Sequence, residues 1–155
     1  DTLKGGRIKK IENYIQGDNF FLTYGDGVSN IDLNRLLEFH LEHNRLATVS
    51  AVRPPSRFGE LTIEGDMVSS FEEKPQMNKG YINGGFFVFN RKLFNYLDNS
   101  ESCDLEFGAL QKIAKKGEMR AFKHDGFWQC MDNIREKNLL NDLYKKGEDS
   151  WLKVR

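Results

Sequence analysis

The sequence predicts an α/β protein in which helices cover both faces of one β-sheet. Three observations support this fold class. Runs of β-prone apolar residues alternate along the chain with segments of helical periodicity, as expected of strand–helix units. Several of the runs are apolar without a break, which is typical of strands buried on both faces. The 155 residues include 12 Phe, 5 Tyr and 2 Trp, which is enough apolar material for a hydrophobic core.

Helices are predicted in five segments, because apolar residues recur there every three or four positions. The first follows Gly5-Gly6, where Ile8 begins the apolar series. The second begins at Leu33, and Asn30 or Asp32 is its expected N-cap. The others are predicted over 93–97, over 105–116 with Gly117 after the end, and over 134–144 with Gly147 after the end.

Strands are predicted for the apolar runs between these helices. They cover 20–24, 47–52, 61–63, 67–71, 81–90 and 119–123, and Glu64-Gly65-Asp66 is expected to join two of them in a hairpin. We expect the run from Phe20 to Tyr24 to be buried on both faces, as in a parallel sheet. Gly84-Gly85 lies inside a predicted strand and indicates a bulge or the close approach of a ligand or a neighbouring element.

Composition and charge exclude several functional classes. The 23 Lys+Arg balance 23 Asp+Glu, whereas a nucleic-acid-binding protein would show a basic excess or stripe. The longest apolar stretch, around 86–89, is far shorter than the roughly 20 residues that span a membrane. Cys103 and Cys130 form no C-x-x-C pair. We therefore expect no disulfide scaffold or zinc ribbon, and a reducing cytoplasm is the predicted location.

The tetrapeptide Tyr24-Gly25-Asp26-Gly27 ends the first predicted strand, where open α/β sheets bind their ligands. Its glycines would let a phosphate or a sugar approach the backbone, and the Asp26 carboxylate can hold a divalent cation. Gly-Asp-Gly is also an ordinary turn. Spacing alone favours neither interpretation.

Two further polar clusters allow a functional and a structural interpretation. In Glu72-Glu73-Lys74-Pro75, the lysine suits a phosphate and Glu73 can accept hydrogen bonds from sugar hydroxyls, but most such clusters are solvated strand ends. Asp132 directly precedes the last helix, so its position favours an N-cap. His40 and His43 have no third ligand nearby in the sequence, and we expect ordinary helix residues.

Six stretches, in this order, resemble the sugar-1-phosphate nucleotidyltransferases, above all the glucose-1-phosphate cytidylyltransferases. They are Lys4-Gly5-Gly6-Arg7, FLTYGDGV at 21–28, Arg57-Phe58-Gly59, SFEEKP at 70–75, INGGFFV at 82–88, and Gly126-Phe127-Trp128-Gln129 with Met131-Asp132. The resemblance covers essentially the whole chain. It implies a Rossmann-like mixed sheet flanked by helices, of the nucleotide-diphospho-sugar transferase type.

Such enzymes join a nucleoside triphosphate to a sugar 1-phosphate and release pyrophosphate. The resemblance implies that Asp26 and Asp132 hold Mg²⁺ and that Lys74, which contacts the sugar phosphate, completes the catalytic set. The substrate-binding residues that it implies are Arg7 on the nucleotide side, with Gly25, Gly59, Glu73, Lys74, Asn83 and Gly84. The implied substrates are CTP, or another nucleoside triphosphate, and glucose 1-phosphate. The implied product is CDP-glucose for deoxysugars of surface polysaccharide, made by a homo-oligomer.

One departure from the family pattern is large. Family members begin with a strand that leads into a G-x-G-T-R-L loop around the triphosphate, and no such loop occurs here. We therefore expect residues 1–155 to be the C-terminal, sugar-phosphate-binding part of a single nucleotidyltransferase domain, without the N-terminal nucleotide-binding part and inactive alone.

The sequence leaves three alternatives to a cytidylyltransferase. A thymidylyl-, uridylyl- or guanylyltransferase would act on another sugar 1-phosphate by the same chemistry. A non-catalytic subunit would only bind a sugar nucleotide. The presence of Asp26, Asp132 and Lys74 argues against it, because such a subunit need not keep them. A metal-dependent glycosyltransferase is disfavoured, because its usual D-x-D motif is replaced here by Asp26-Gly27-Val28.

Overall fold

The computed structural model describes residues 2–54, 60–73 and 80–152, and it has the expected mixed α/β architecture. The strands are β1 (Asn19–Thr23), β2 (Gly27–Ser29), β3 (Ala47–Val52), β4 (Glu60–Glu64), β5 (Met67–Glu72), β6 (Ile82–Asn90), β7 (Met119–His124) and β8 (Trp128–Cys130). The α-helices are α1 (Lys4–Lys10), α2 (Leu33–His43), α3 (Gln111–Lys115) and α4 (Ile134–Lys145). Shorter helical turns cover Glu12–Tyr14, Arg91–Tyr96, Leu105–Leu110 and Ser150–Leu152; Leu105–Leu110 is a π-helix and the others are 3₁₀.

The main sheet has the strand order β1-β6-β3-β7. β1 and β6 are antiparallel, with Asn19 opposite Asn90. At this end the Asn90 N–H donates to the Leu46 carbonyl (2.8 Å) and the Ala47 N–H donates to the Glu118 carbonyl (3.0 Å). β6 therefore ends where β1, β3 and β7 begin. We call the part of the sheet where these strand ends meet the Asn90 edge. The chain leaves β1 towards Gly25-Asp26 at the opposite edge.

The central strands are buried on both faces, but the edge strand is not. In β6, Phe87 and Phe89 lie on one face and Val88 on the other, and none is more than 1% exposed. The expectation that 20–24 is buried on both faces in a parallel sheet is wrong. Phe21 is 47% exposed, because β1 lies at the edge of the four-stranded order and pairs antiparallel with β6.

The chain divides into two compact units. The first comprises Asp1–Gly25, Asp32–Ser50 and Gly85–Phe122, and its core joins sheet residues such as Phe87 to helical residues such as Phe94. The second comprises Asp26–Ile31, Ala51–Gly84 and Lys123–Arg155, and it contains the β2–β8 pair, the β4–β5 hairpin and α4. In the second unit the ring of Trp151 stacks on Phe127, with centroids 4.9 Å apart.

Most predicted helices and strands are present, with changes at their ends. Gly65 has the positive φ that the predicted hairpin requires, and Gly117 and Gly147 have the positive φ expected after α3 and α4. Residues 93–97 lie largely in a 3₁₀ turn, and the predicted helix over 105–116 is divided into the π-helical turn and α3. None of the described helices is long and apolar enough to cross a lipid bilayer.

Helix α1 includes the glycine pair that was expected to precede it. A Cβ on Gly5 would lie 2.7 Å from the Cys103 carbonyl oxygen, and a Cβ on Gly6 would lie 2.5 Å from the Ser100 carbonyl oxygen. The Gly6 N–H donates to the Cys103 carbonyl (3.1 Å). The two glycines therefore let the helix backbone pack directly on the backbone of the loop before the π-helical turn.

The histidines of α2 belong to a buried hydrogen-bond chain. The Arg45 N–H donates to His43 Nδ1 (2.9 Å), so His43 Nε2 carries a proton and donates to Thr48 Oγ1 (2.8 Å). The Thr48 hydroxyl then donates to His40 Nδ1 (2.8 Å), and His40 Nε2 donates to Asn19 Oδ1 (3.1 Å). This direction requires both imidazoles to be neutral. The two histidines are therefore structural, as expected.

Replacing Gly6 with alanine is expected to lower the free energy of unfolding by about 1–3 kcal/mol, because the new methyl group overlaps a backbone carbonyl. Thermal or denaturant unfolding measures the change. Gly108→Ala is the matched control, since a Cβ on Gly108 would meet no atom within 4 Å. Equal stability of the two variants would contradict the proposed backbone contact.

The buried histidine is expected to make the fold sensitive to acid. Burial and the neighbouring His43 lower the pKa of His40 to about 4, from an unperturbed 6.5. Between these two pH values His40 is protonated in the unfolded chain but neutral in the folded protein. Its contribution to the free energy of unfolding is therefore fully present above pH 6.5 and is lost as the pH falls towards 4. The loss is ~3 kcal/mol for this group. Denaturant unfolding across this range should show a shallower pH dependence for His40→Gln, and an unchanged dependence would contradict the assignment.

Candidate functional site

Two short strands bring the segments of Asp26 and Asp132 together in the second unit. β2 and β8 are antiparallel, with Gly27 opposite Cys130. One step further along, the Met131 N–H donates to the Asp26 carbonyl (2.8 Å). Since Asp132 follows Met131 directly, both predicted metal ligands lie at the same end of this ladder, and both residues are exposed.

The N-cap of α4 is Asn133, so the N-cap role that position favoured for Asp132 is wrong. Asn133 Oδ1 accepts a hydrogen bond from the Glu136 N–H (3.0 Å). In return, Glu136 Oε2 accepts from the Asp132 N–H (2.8 Å). This reciprocal arrangement is similar to a capping box. It fixes the backbone of Asp132 without using the Asp132 carboxylate.

The ligand atoms of Cys130, Asp132 and Glu136 lie within 4.8 Å of one another. Burial, a hydrogen bond to Asp132 and the charges of Glu136 and Asp132 raise the pKa of the Cys130 thiol to about 11. In the absence of a metal ion, the thiol therefore stays protonated near neutral pH. The other two donors of this group, Asp132 and Glu136, are carboxylates, which Mg²⁺ prefers as ligands. The donor chemistry at Asp132 thus fits the metal that the sequence resemblance implies.

Trp128 connects β8 with a second predicted site segment. Its indole Nε1–H donates to the Gly84 carbonyl (2.8 Å). Gly84 is buried and Asn83 is exposed. The structure thus gathers the segments of Asp26, Asp132 and Gly84 around β8. Sequence analysis missed both β2 and β8, because three residues are too few to show an alternating pattern.

The other sugar-site residues are distributed differently. Glu73 is exposed and directly follows β5. Gly59 and Lys74, with the rest of Arg57-Phe58-Gly59, lie outside the described residues. Arg7 lies on α1 in the first unit, where its Nε donates to the Thr2 carbonyl (2.6 Å). Among the described residues, the two terminal nitrogens of Arg7 have no hydrogen-bond partner.

In the first unit, the end of β1 is held through Tyr24. Its N–H donates to the Gly85 carbonyl (3.0 Å). A Cβ on Gly85, whose φ is +78°, would lie 3.0 Å from the Tyr24 ring. At Gly85 the close approach indicated by the sequence is therefore that of a neighbouring element. The next residue, Gly25, is exposed, and a Cβ there would meet no atom within 4 Å, so its backbone is accessible.

Glu106, which the sequence did not single out, and Lys4 complete this anchor. The Tyr24 hydroxyl donates to Glu106 Oε1 (2.6 Å), and the Lys4 ammonium pairs with the same carboxylate. Lys4 also lies 4.7 Å from the centre of the Tyr24 ring. Burial of Glu106 acts in the opposite direction, but hydrogen bonds from Lys4 and Tyr24 hold its pKa below the usual value. Glu106 belongs to the π-helical turn, a type of turn that is frequent at functional sites.

Comparison with known proteins points to one family. The model of the family described as nucleotidyl transferase matches residues 6–134. Over 151 residues the chain is 43% identical to a glucose-1-phosphate cytidylyltransferase of Salmonella typhi and 39% identical to a probable one of Bacillus subtilis (strain 168). Each alignment covers 97% of this chain, but only 58% and 59% of the two relatives. The chain thus spans less than two thirds of their length.

Solved structures confirm the predicted fold class. A putative glucose-1-phosphate thymidylyltransferase from Bacillus anthracis has a TM-score of 0.68 at 19% identity, over 92% of this chain and 61% of that chain. The inositol-1-phosphate CTP transferase from T. maritima has a TM-score of 0.63 at 16% identity, over 99% of this chain and 64% of that chain. At these identities the likeness concerns the fold alone.

Asn133→Ala is expected to destabilise the fold by ~1 kcal/mol, because it removes the side-chain cap of α4. Asp132→Asn is the matched variant, since the cap does not use its carboxylate. It should leave the free energy of unfolding nearly unchanged. Denaturant unfolding of both variants provides the measurement. A larger loss for Asp132→Asn than for Asn133→Ala would return the capping role to Asp132.

Proposed function

This chain belongs to the nucleotidyl transferase family, and from that premise we propose that the full-length protein transfers a cytidylyl group from CTP to glucose 1-phosphate. The observation that carries the proposal is the pairing of β2 with β8, which brings Asp26 and Asp132 to one end of a backbone ladder. The choice of CTP and glucose 1-phosphate is supported by the names of the relatives that are 39–43% identical.

The proposed reaction is a single in-line displacement. A phosphate oxygen of glucose 1-phosphate attacks the α-phosphorus of CTP and forms a new P–O bond. The bond from the α-phosphorus to the oxygen that bridges it to the β-phosphate breaks, and pyrophosphate leaves with that bonding pair. Such a transfer needs positioning and charge neutralisation rather than a covalent protein intermediate. Exposed carboxylates and approachable backbone segments are suited to this task.

Asp26 and Asp132 are the residues proposed to hold Mg²⁺. When bound, this ion supplies positive charge to the phosphates and stabilises the charge that develops during transfer. The protein's own contribution is to keep the two aspartates in place. Met131 ties the Asp26 backbone to β8, and Glu136 holds the Asp132 N–H.

The sugar phosphate is proposed to bind along the segments that follow β5 and begin β6. Lys74 would contact its phosphate, while Gly59, Glu73, Asn83 and Gly84 would line the sugar site. The hydrogen bond from Trp128 to the Gly84 carbonyl supports this proposal, because it fixes the backbone beside the exposed Asn83. On the nucleotide side, we assign Arg7 and the accessible backbone of Gly25.

The proposed setting is a reducing cytoplasm, as for an enzyme that uses nucleoside triphosphates. Cys103 and Cys130 are both free thiols, which is consistent with such a setting. The proposed product, CDP-glucose, would supply deoxysugar synthesis for surface polysaccharide.

The test is pyrophosphate release by the full-length protein with glucose 1-phosphate and, in turn, CTP, UTP, dTTP and GTP. CTP is expected to give the highest kcat/KM. A preference for another triphosphate would contradict the cytidylyl assignment while preserving nucleotidyl transfer. Binding of CTP and glucose 1-phosphate without pyrophosphate release would instead support a non-catalytic subunit.

In the same assay, Asp132→Asn is expected to lower kcat by at least about 100-fold, because it removes a ligand of the charge-neutralising metal. Asp142→Asn on α4 is the matched control, since it makes the same change at an exposed aspartate that takes no part in the proposed site. Near-normal turnover of Asp132→Asn would remove Asp132 from the proposed metal site.

A further inference from the structure

A polar cleft of about 480 Å³ opens at the Asn90 edge of the main sheet, entirely within the first unit. This volume lies in the range of small-molecule sites. We call it the edge cleft. Its charged lining residues are Arg45, Lys92, Lys116 and Glu118.

The edge cleft is separate from the end of β1 that leads to Gly25-Asp26. β1 begins at Asn19, opposite Asn90, and ends at Thr23, opposite Phe86. Four residue steps along a strand correspond to roughly 13 Å. A molecule bound in the edge cleft would therefore lie at the opposite edge of the sheet from the Tyr24 anchor.

The charges of the edge cleft are unbalanced. Glu118 Oε1 is bonded to Arg45 Nη1 (3.2 Å), so these two charges neutralise each other. Among the described residues, the Lys116 ammonium contacts uncharged groups of Tyr96, its hydroxyl at 3.2 Å and its ring centre at 4.9 Å. The Lys92 ammonium has no partner among the described residues. Two positive charges are left without a carboxylate in the described part of the cleft.

Helix dipoles account for only one of these lysines. Lys116 directly follows α3, where a cation is stabilised by the negative end of the helix. Lys92 is the second residue of the 3₁₀ turn Arg91–Tyr96. A cation at the start of a helical turn gains nothing from the dipole. An anionic ligand would explain both positions.

One wall of the edge cleft is fixed by Asn90. Its Oδ1 accepts from the Lys92 N–H (3.0 Å) and thereby caps the turn that carries Lys92 and Tyr96. Its Nδ2 donates to Asn19 Oδ1 (3.3 Å), which also accepts from the buried His40.

A second part of the cleft wall is fixed by the end of α2. Asn44 adopts a left-handed conformation (φ 48°) and turns the chain so that Arg45 follows at the cleft. The Arg45 N–H donates to His43, which belongs to the same buried chain as His40. One internal hydrogen-bond network therefore supports both walls, as in a preorganised site.

We propose that the edge cleft binds a phosphate monoester, with the phosphate between the ammonium groups of Lys92 and Lys116. An ammonium group is a suitable point-charge partner for phosphate. The volume exceeds that of a phosphate ion, and Tyr96 and Asn44 provide hydrogen-bonding groups for ligand hydroxyls. Because none of the residues that line the cleft belongs to the proposed transfer site, the ligand binds as an effector rather than as a substrate.

The test uses ¹⁵N-labelled full-length protein titrated at constant ionic strength with glucose 6-phosphate, inorganic phosphate or glucose. Glucose 6-phosphate is expected to shift the amide signals of Asn44, Lys92 and Tyr96 saturably and to bind more tightly than inorganic phosphate. Glucose should cause no such shifts. Equal affinity for the ester and inorganic phosphate would overturn the monoester assignment, and shifts that do not saturate would overturn the site.

The decisive comparison is between two double variants that remove the same net charge. Lys92→Ala/Lys116→Ala should raise the Kd for glucose 6-phosphate at least about tenfold, because two charge-assisted contacts are lost. Lys137→Ala/Lys145→Ala on α4 is the control and should leave the Kd unchanged. Equal effects of the two pairs would show non-specific attraction and overturn the proposal. Lys92→Ala alone is a second test on a well-folded protein, since Lys92 is exposed, and it must also raise the Kd.

Discussion

The antiparallel pairing of β2 with β8 is the constraint on which the arrangement of the candidate site depends. Each strand has only three residues, and so short a ladder contributes little stability by itself. Hydrogen bonds beyond the three paired residues maintain its geometry. The bond from Met131 to Asp26 extends it at one end, and Trp128 joins β8 to Gly84. Without this pairing, residues more than 100 positions apart in the sequence would have no reason to meet.

The N-terminus of α4 determines how Asp132 is presented. The Asn133 side chain caps the helix by accepting a hydrogen bond from the Glu136 N–H. The Glu136 side chain in turn accepts a hydrogen bond from the Asp132 N–H. Glu136 is only 6% exposed, and its buried carboxylate is close to Cys130 and Asp132. A cation at this point would offset the repulsion between the carboxylates of Asp132 and Glu136. The arrangement of charges around Asp132 therefore favours a cation, and this argument does not depend on the relatives.

The sequence predicted the parts of the fold that are set by local chemistry and strong periodicity. β3 and β6 were found because they are long and apolar, and α2 because Asp32 caps an apolar series. The two-sided burial of 20–24 was wrong, since an apolar run does not reveal that its strand lies at a sheet edge. The N-cap role that position favoured for Asp132 was wrong, because adjacent Asp132 and Asn133 are both good caps and only tertiary contacts choose between them.

The same limit applies to residues that act through distant contacts. Gly5-Gly6 would ordinarily weaken a helix, yet it lies within α1 because the loop backbone near Ser100 and Cys103 leaves no space for a Cβ. Glu106 carries no motif of its own, and its relation to Tyr24 depends on folding across 82 positions. The candidate site could therefore be predicted as a set of segments, whereas their connections could not.

Zero net charge is compatible with anionic ligands, because the pairing of charges matters more than their sum. Lys4, Lys9 and Arg45 are each engaged by a carboxylate, namely Glu106, Glu12 and Glu118. Such pairs add little to the long-range field at physiological salt. Most of the other lysines and arginines have no ion-pair partner among the described residues, and two of them, Lys92 and Lys116, line the edge cleft together. In a chain with balanced charges, selectivity for anions thus depends on where the fold brings such cations together in one cavity.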